Sequence, residues 1–108
     1  MAYTFEKLDI WCKSKELVKD IYVIIDELPS YENFALKDQL RRSIISVSSN
    51  IAEGSGRPSY KERVRFIEIA YGSLMESFCQ LILAAEIGHI HHNKIDELRP
   101  KFEELQEC

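Results

Sequence analysis

The sequence is poor in the residues that interrupt or staple a chain. It has four glycines, three prolines and three cysteines in 108 residues. Cys12, Cys79 and Cys108 are odd in number, widely spaced and contain no C-x-x-C. That pattern excludes a disulfide framework and a structural zinc site, and it fits reduced thiols in a cytoplasm. No N-terminal apolar run reads as a signal peptide. The most apolar region, Leu74 to Ile87, is interrupted by Glu76, Gln80 and Glu86, so no membrane-spanning segment is expected. Alternating strand patterns, repeats and low-complexity tracts are absent. There is no excess of positive charge: the net charge is −4, which argues against a simple basic nucleic-acid binder. What is there is apolar residues, 45% of the chain, enough for the core of one domain spanning residues 1–108.

Their spacing is helical throughout. The first helix is predicted at about residues 6–28. Leu8, Trp11, Val18, Tyr22 and Ile25 form one stripe, and Leu17, Ile21, Ile24 and Leu28 an adjoining one. Pro29 ends it by forcing its predecessor out of the helical region. Tyr31 and Phe34 are expected to pin the following loop to the bundle. The second helix, 36–53, has the stripe Leu36, Leu40, Ile44, Val47 and Ile51. Ser43, Ser46, Ser48 and Ser49 surround it and signal either a close helix approach or a solvated face. Gly54 is expected to close this helix in the left-handed conformation.

Ser59 and Glu62 form a capping box that opens the third helix, 60–87. Its stripe is Ile67, Ala70, Leu74, Phe78, Leu81 and Ala85. Gly72, inside the helix, predicts a close helix contact, and Gly88 is the stop. Asn93 is the expected N-cap of the fourth helix, 93–107, where Ile95, Leu98, Phe102 and Leu105 make the seam and Pro100 should kink or break it. The short connections predict an all-α, antiparallel up-down-up-down four-helix bundle.

The polar residues concentrate around the second interhelix turn. A turn centred between Gly56 and Arg57 sets residue i opposite 113 − i. That register predicts an ion pair of Arg41 with Glu76, with Arg42 as alternate partner. It also predicts a cluster of Asn50, Glu53 and Arg57 that ties off the hairpin. Gly54-x-Gly56-Arg57 before a helix could hold a phosphate, but no strand precedes it and no P-loop lysine follows. His89, His91 and His92 read as a solvated loop, and no metal site is expected. No catalytic arrangement is legible, and no cofactor is implied. Cys12 and Cys79 read as core or near-core thiols. Between Lys37 and Arg65, seven basic residues face three acidic ones. That segment carries either a basic patch suited to nucleic acid or charge neutralised by the acidic helices; the second is the simpler reading.

Four stretches carry a family resemblance: Phe5-Glu-Lys-Leu-Asp-Ile-Trp, Gln39-Leu-Arg-Arg-Ser, Ser49-Asn-Ile-Ala-Glu-Gly and Ile69-Ala-Tyr-Gly-Ser-Leu-Met-Glu. They resemble the bacterial four-helix-bundle proteins encoded by intervening sequences in 23S rRNA genes. The accessory variability determinant of diversity-generating retroelements has the same fold. The resemblance runs nearly to Ile90, and the last helix matches less well. It implies a bundle without catalytic activity, in a family whose members form ring-shaped homopentamers. It also implies, from the retroelement branch, a basic surface for nucleic acid and a reverse transcriptase-like protein. The acidic balance of this chain departs from that branch.

Two functions are therefore expected. One is a non-enzymatic oligomer that contacts structured RNA or a nucleic-acid-processing partner through Arg57, Lys61, Arg63 and Arg65. The other is a structural, protein-interaction module with no nucleic-acid role.

Overall fold

A computed structural model describes residues 4–108. Four helices account for most of it: α1 (Asp9–Glu27), α2 (Leu36–Ser55), α3 (Tyr60–Ile87) and α4 (His92–Glu107). Each packs on its neighbour in the chain, and α4 closes the ring of contacts against α1. The result is an all-α four-helix bundle measuring 44 × 27 × 26 Å.

The first helix is shorter than its apolar pattern suggests. Thr4–Lys7 form a separate 3-10 turn, and Leu8 is extended before α1 begins. Phe5 folds back edge-on to Trp11, with ring centroids 5.0 Å apart. Leu28 is extended ahead of Pro29, as proline demands of its predecessor. Of the two stripes on α1, Leu17, Ile21, Ile24 and Leu28 are the buried one, joined by Ile25. Trp11, Val18 and Tyr22 pack only partly against the core. Lys13 ties α1 to α4. Its ammonium meets Asp9 at 2.8 Å and Glu104 at 2.7 Å. These two hydrogen bonds hold its pKa above the ordinary lysine range. A raised pKa means that the charged tie persists through neutral pH and is lost only at strongly alkaline pH.

The core is as the spacing of α2 anticipates, with Leu40, Ile44, Val47 and Ile51 buried, against Ala70, Leu74, Leu81, Ala84 and Ala85 of α3. Two members of the expected α3 stripe depart from it: Phe78 is only partly buried and Ile67 is exposed. The loop aromatics divide. Phe34 is 98% exposed and does not plug the bundle end, whereas Tyr31, though largely exposed, does pin the loop: its ring lies edge-on to His89 with centroids 5.5 Å apart. A polar tie accompanies it. Glu32 Oε2 sits 2.8 Å from His89 Nε2, with the two side chains 17% and 8% exposed. His89 therefore leaves the solvated loop expected of it and joins the α1–α2 connection to the α3–α4 connection.

The end of α4 at Glu107 is as the sequence predicts, but its start is one residue earlier and its cap differs. His91, not Asn93, is the N-cap; its Nδ1 accepts from the Asn93 amide at 3.1 Å. Pro100 lies on the exposed side of an unbroken helix, because the ring points to water and only one backbone bond is lost. By length and composition alone, α3 is long and apolar enough to cross a membrane, contrary to the reading of Leu74–Ile87. It is nevertheless bonded into the bundle through Ser73, Ser77 and Gln80.

Candidate functional site

The α2–α3 hairpin positions every candidate residue. It is held by matched small polar side chains. Ser73 Oγ donates to Ser46 Oγ, and Ser77 Oγ donates to Ser43 Oγ, both at 2.8 Å. Ser43 Oγ in turn lies 2.8 Å from Gln80 Oε1. On the other flank of α2, Ser48 and Ser14 of α1 share a hydrogen bond of 2.9 Å. Three of the four serines singled out in α2 thus mark close helix approaches; Ser49 is exposed.

These pairs set residue i opposite 119 − i or 120 − i, not 113 − i. The slip has a physical cause. Gly54 does not end α2 in a left-handed cap; the helix runs on through Ser55, and Gly56 caps it with φ −93°. Gly54 is instead a point of close approach between α2 and α3. A Cβ there would stand 2.7 Å from Phe66 Cβ. Gly72, expected at such a contact, faces open space with nothing within 4 Å. Gly88, at φ 96°, caps α3 in the left-handed region, where glycine is at ease.

The changed register overturns the Arg41–Glu76 pair. Asp38, on α2 itself, takes both arginines: Arg42 at 2.9 Å and Arg41 at 3.9 Å. Glu76 accepts from Gln80 at 3.3 Å. Asn50 is likewise absent from the turn cluster. Its Nδ2 donates to the Ser46 carbonyl and Ser46 Oγ. Glu53 and Arg57 do meet, at 2.8 Å.

The four basic residues proposed as a surface divide into two pairs. Arg57 lies against Glu53 and stacks over Phe66, 4.7 Å from the ring centroid. Arg63 donates to the carbonyls of Arg57 and Pro58, at 3.0 and 3.1 Å. Both fasten the turn, together with Ser59, whose Oγ accepts from the Glu62 amide at 3.1 Å. Lys61 and Arg65 are exposed, one turn apart on α3, and border a shallow open groove with Tyr60, Val64 and Glu68. Among the described residues their side chains make no hydrogen bond or ion pair. They are the charges left available for a partner.

Among the described residues no three His, Cys, Asp or Glu side chains converge as a metal site. Cys79 and Cys108 are exposed, so Cys79 is not the core thiol its apolar neighbours suggest, and Cys12 is half-buried. The sequence reading missed the serine pairs across α2 and α3 and the Glu32–His89 tie. The serines had a signal: positions 43 and 46, and 73 and 77, each recur on one helical face. Glu32 and His89 had none, because they meet only when the two loops at one end of the bundle come together.

The family described as 23S rRNA-intervening sequence protein matches residues 6–108 of the chain. Among solved structures, the chain is similar to a protein of unknown function from the S23 ribosomal protein family of Bacteroides thetaiotaomicron VPI-5482. That similarity has a TM-score of 0.82 at 21% identity and covers 91% of this chain and 92% of the other. At such identity the likeness is one of fold. No curated protein matches the chain.

Proposed function

The chain belongs to the 23S rRNA-intervening sequence protein family, and from that premise we propose that it works without catalysis, as a self-assembling bundle that presents basic side chains to structured RNA. The form proposed is the closed homo-oligomeric ring, a pentamer, that the family resemblance implies. The observation that carries the RNA contact is the pair Lys61 and Arg65, exposed and unengaged among the described residues at the start of α3. Two cations per chain bind weakly, but a ring repeats them, and linked sites gain in avidity. The overall negative charge does not oppose this, since phosphate contacts are local and screened within about 10 Å at moderate salt. The three unpaired cysteines fit a cytoplasmic setting.

The test is binding of a structured RNA by fluorescence anisotropy at graded salt. Affinity should fall steeply as salt rises, and the Lys61→Ala/Arg65→Ala protein should show a slope shallower by roughly two phosphate contacts per engaged chain. No binding even at low salt rejects the RNA role. It leaves the second reading, a protein-interaction module, which one observation favours: Arg57 and Arg63 are already occupied within the hairpin. Light scattering that finds single chains at micromolar concentration rejects the assembly.

A further inference from the structure

Helix α3 carries two seams. One faces inward through Ala70, Leu74, Ser77, Leu81 and Ala84, all buried. The other faces outward through Ile69, Gly72, Glu76, Cys79, Leu83 and Glu86, all exposed. The outward spacing of three, four, three, four and three is that of a helix built to meet another helix. Ile69 and Leu83, 40% and 48% exposed, lie at a distance of about 21 Å along it at 1.5 Å per residue. Between them Gly72 and Cys79 are small, and among the described residues nothing outside its own stretch of helix comes within 4 Å of where a Gly72 side chain would be.

A complementary surface lies on another side of the bundle. Trp11 and Val18 of α1 and Ile45 of α2 line an apolar groove, with Ser48 and Ser49 keeping one wall low and Lys15 and Lys19 completing its lining. Lys15 lies 5.5 Å from the Trp11 ring centroid. Lys19 has a 3.4 Å contact with Glu16, both side chains being mostly exposed, a pairing of little strength.

We propose that the outward seam of α3 seats in the α1–α2 groove of a second copy, with Glu76 between Lys15 and Lys19. This rests on the assembly reading above and adds which faces meet. Charge decides the occupant. From Ile69 to Glu86 the seam holds acids and no base, so seam against seam would bring like charges together, whereas seam against groove pairs opposite ones. The same acids oppose an RNA backbone, and a carboxylate in mid-seam opposes a lipid. Small residues on both sides, Gly72 and Cys79 against Ser48 and Ser49, let the helices approach closely. Because the two faces differ, the contact is head-to-tail: it generates a closed ring or an open filament, not a two-fold dimer.

Light scattering on four proteins tests this, with circular dichroism to confirm that each is folded. They are the native chain, Glu76→Lys, Lys15→Glu/Lys19→Glu, and the triple charge exchange. The native chain should assemble. Each reversal alone should lower the mass to that of one chain, 12.6 kDa, and the triple exchange should restore the native mass. Leu83→Lys, which leaves the Glu76–Gln80 contact untouched, should also give single chains. A native chain that is monomeric defeats the assembly reading, and this interface with it. An assembled native chain whose mass survives either reversal overturns the interface alone. A triple exchange that stays monomeric overturns the charge pairing.

Discussion

Two glycines with similar sequence settings, each inside a helix, have opposite roles. Gly54 is buried against Phe66, and a Cβ there would meet another Cβ, which cannot swing aside. Gly54→Ala should therefore force α2 and α3 apart and destabilise the chain by about 1–3 kcal/mol, the usual cost of overpacking, despite alanine's better helix propensity. Gly72→Ala meets nothing among the described residues and should stabilise the chain by up to about 1 kcal/mol. Urea unfolding at concentrations low enough to dissociate any assembly measures both. A gain at Gly54 would show that the helices separate at no cost. A loss at Gly72 would show that α3 is contacted there within the chain. Composition cannot distinguish the two positions, because the difference lies in what stands opposite, and that depends on the register of the hairpin.

At the scale of elements, the serines of α2 are fasteners. Ser43 and Ser77 are buried and bonded to each other, and their hydroxyls also reach Gln80 and the Ser73 carbonyl. A double-mutant cycle on Ser43→Ala and Ser77→Ala should return a coupling of about 0.5–1.5 kcal/mol; additive losses would mean that the contact contributes nothing. In α4, Pro100 lies on the exposed face of a continuous helix. Pro100→Ala restores one backbone donor and should raise stability by about 1–3 kcal/mol, read as a higher thermal midpoint. Helix number, order and the α2 core were legible because periodic burial is a property of single helices. The Glu53–Arg57 contact was legible too, since a carboxylate at a helix C-terminus needs a compensating cation and Arg57 is the nearest one in sequence. The Arg41–Glu76 pairing failed because it was inferred across helices from a turn whose centre was misplaced. Gly54 looked like a terminus and was a point of contact. Arg63 looked free, and only the direction of the Arg57 and Pro58 carbonyls shows that it is occupied.

At the scale of the whole molecule, the bundle is uneven. Its hairpin is joined by matched hydroxyl pairs and by the fastened turn, and α2 and α3 share its most extensive contact. The surface ties that join α1 to α4 are ionic ones, Lys13 with Glu104 and Lys101 with Asp20. The acidic chain as a whole and the exposed cations of one helix end belong to different levels, which is why net charge alone said little about a nucleic-acid role. The unevenness has a consequence in time. Residues 36–87 are contiguous, so the hairpin closes only a short loop, and early structure should form there. Stopped-flow kinetics should show Val47→Ala slowing refolding, with Leu105→Ala mainly hastening unfolding. Equal effects of both on refolding would mean that the four helices condense together. The hairpin is then the part of the chain that takes shape first, and α1 and α4 close over something already made.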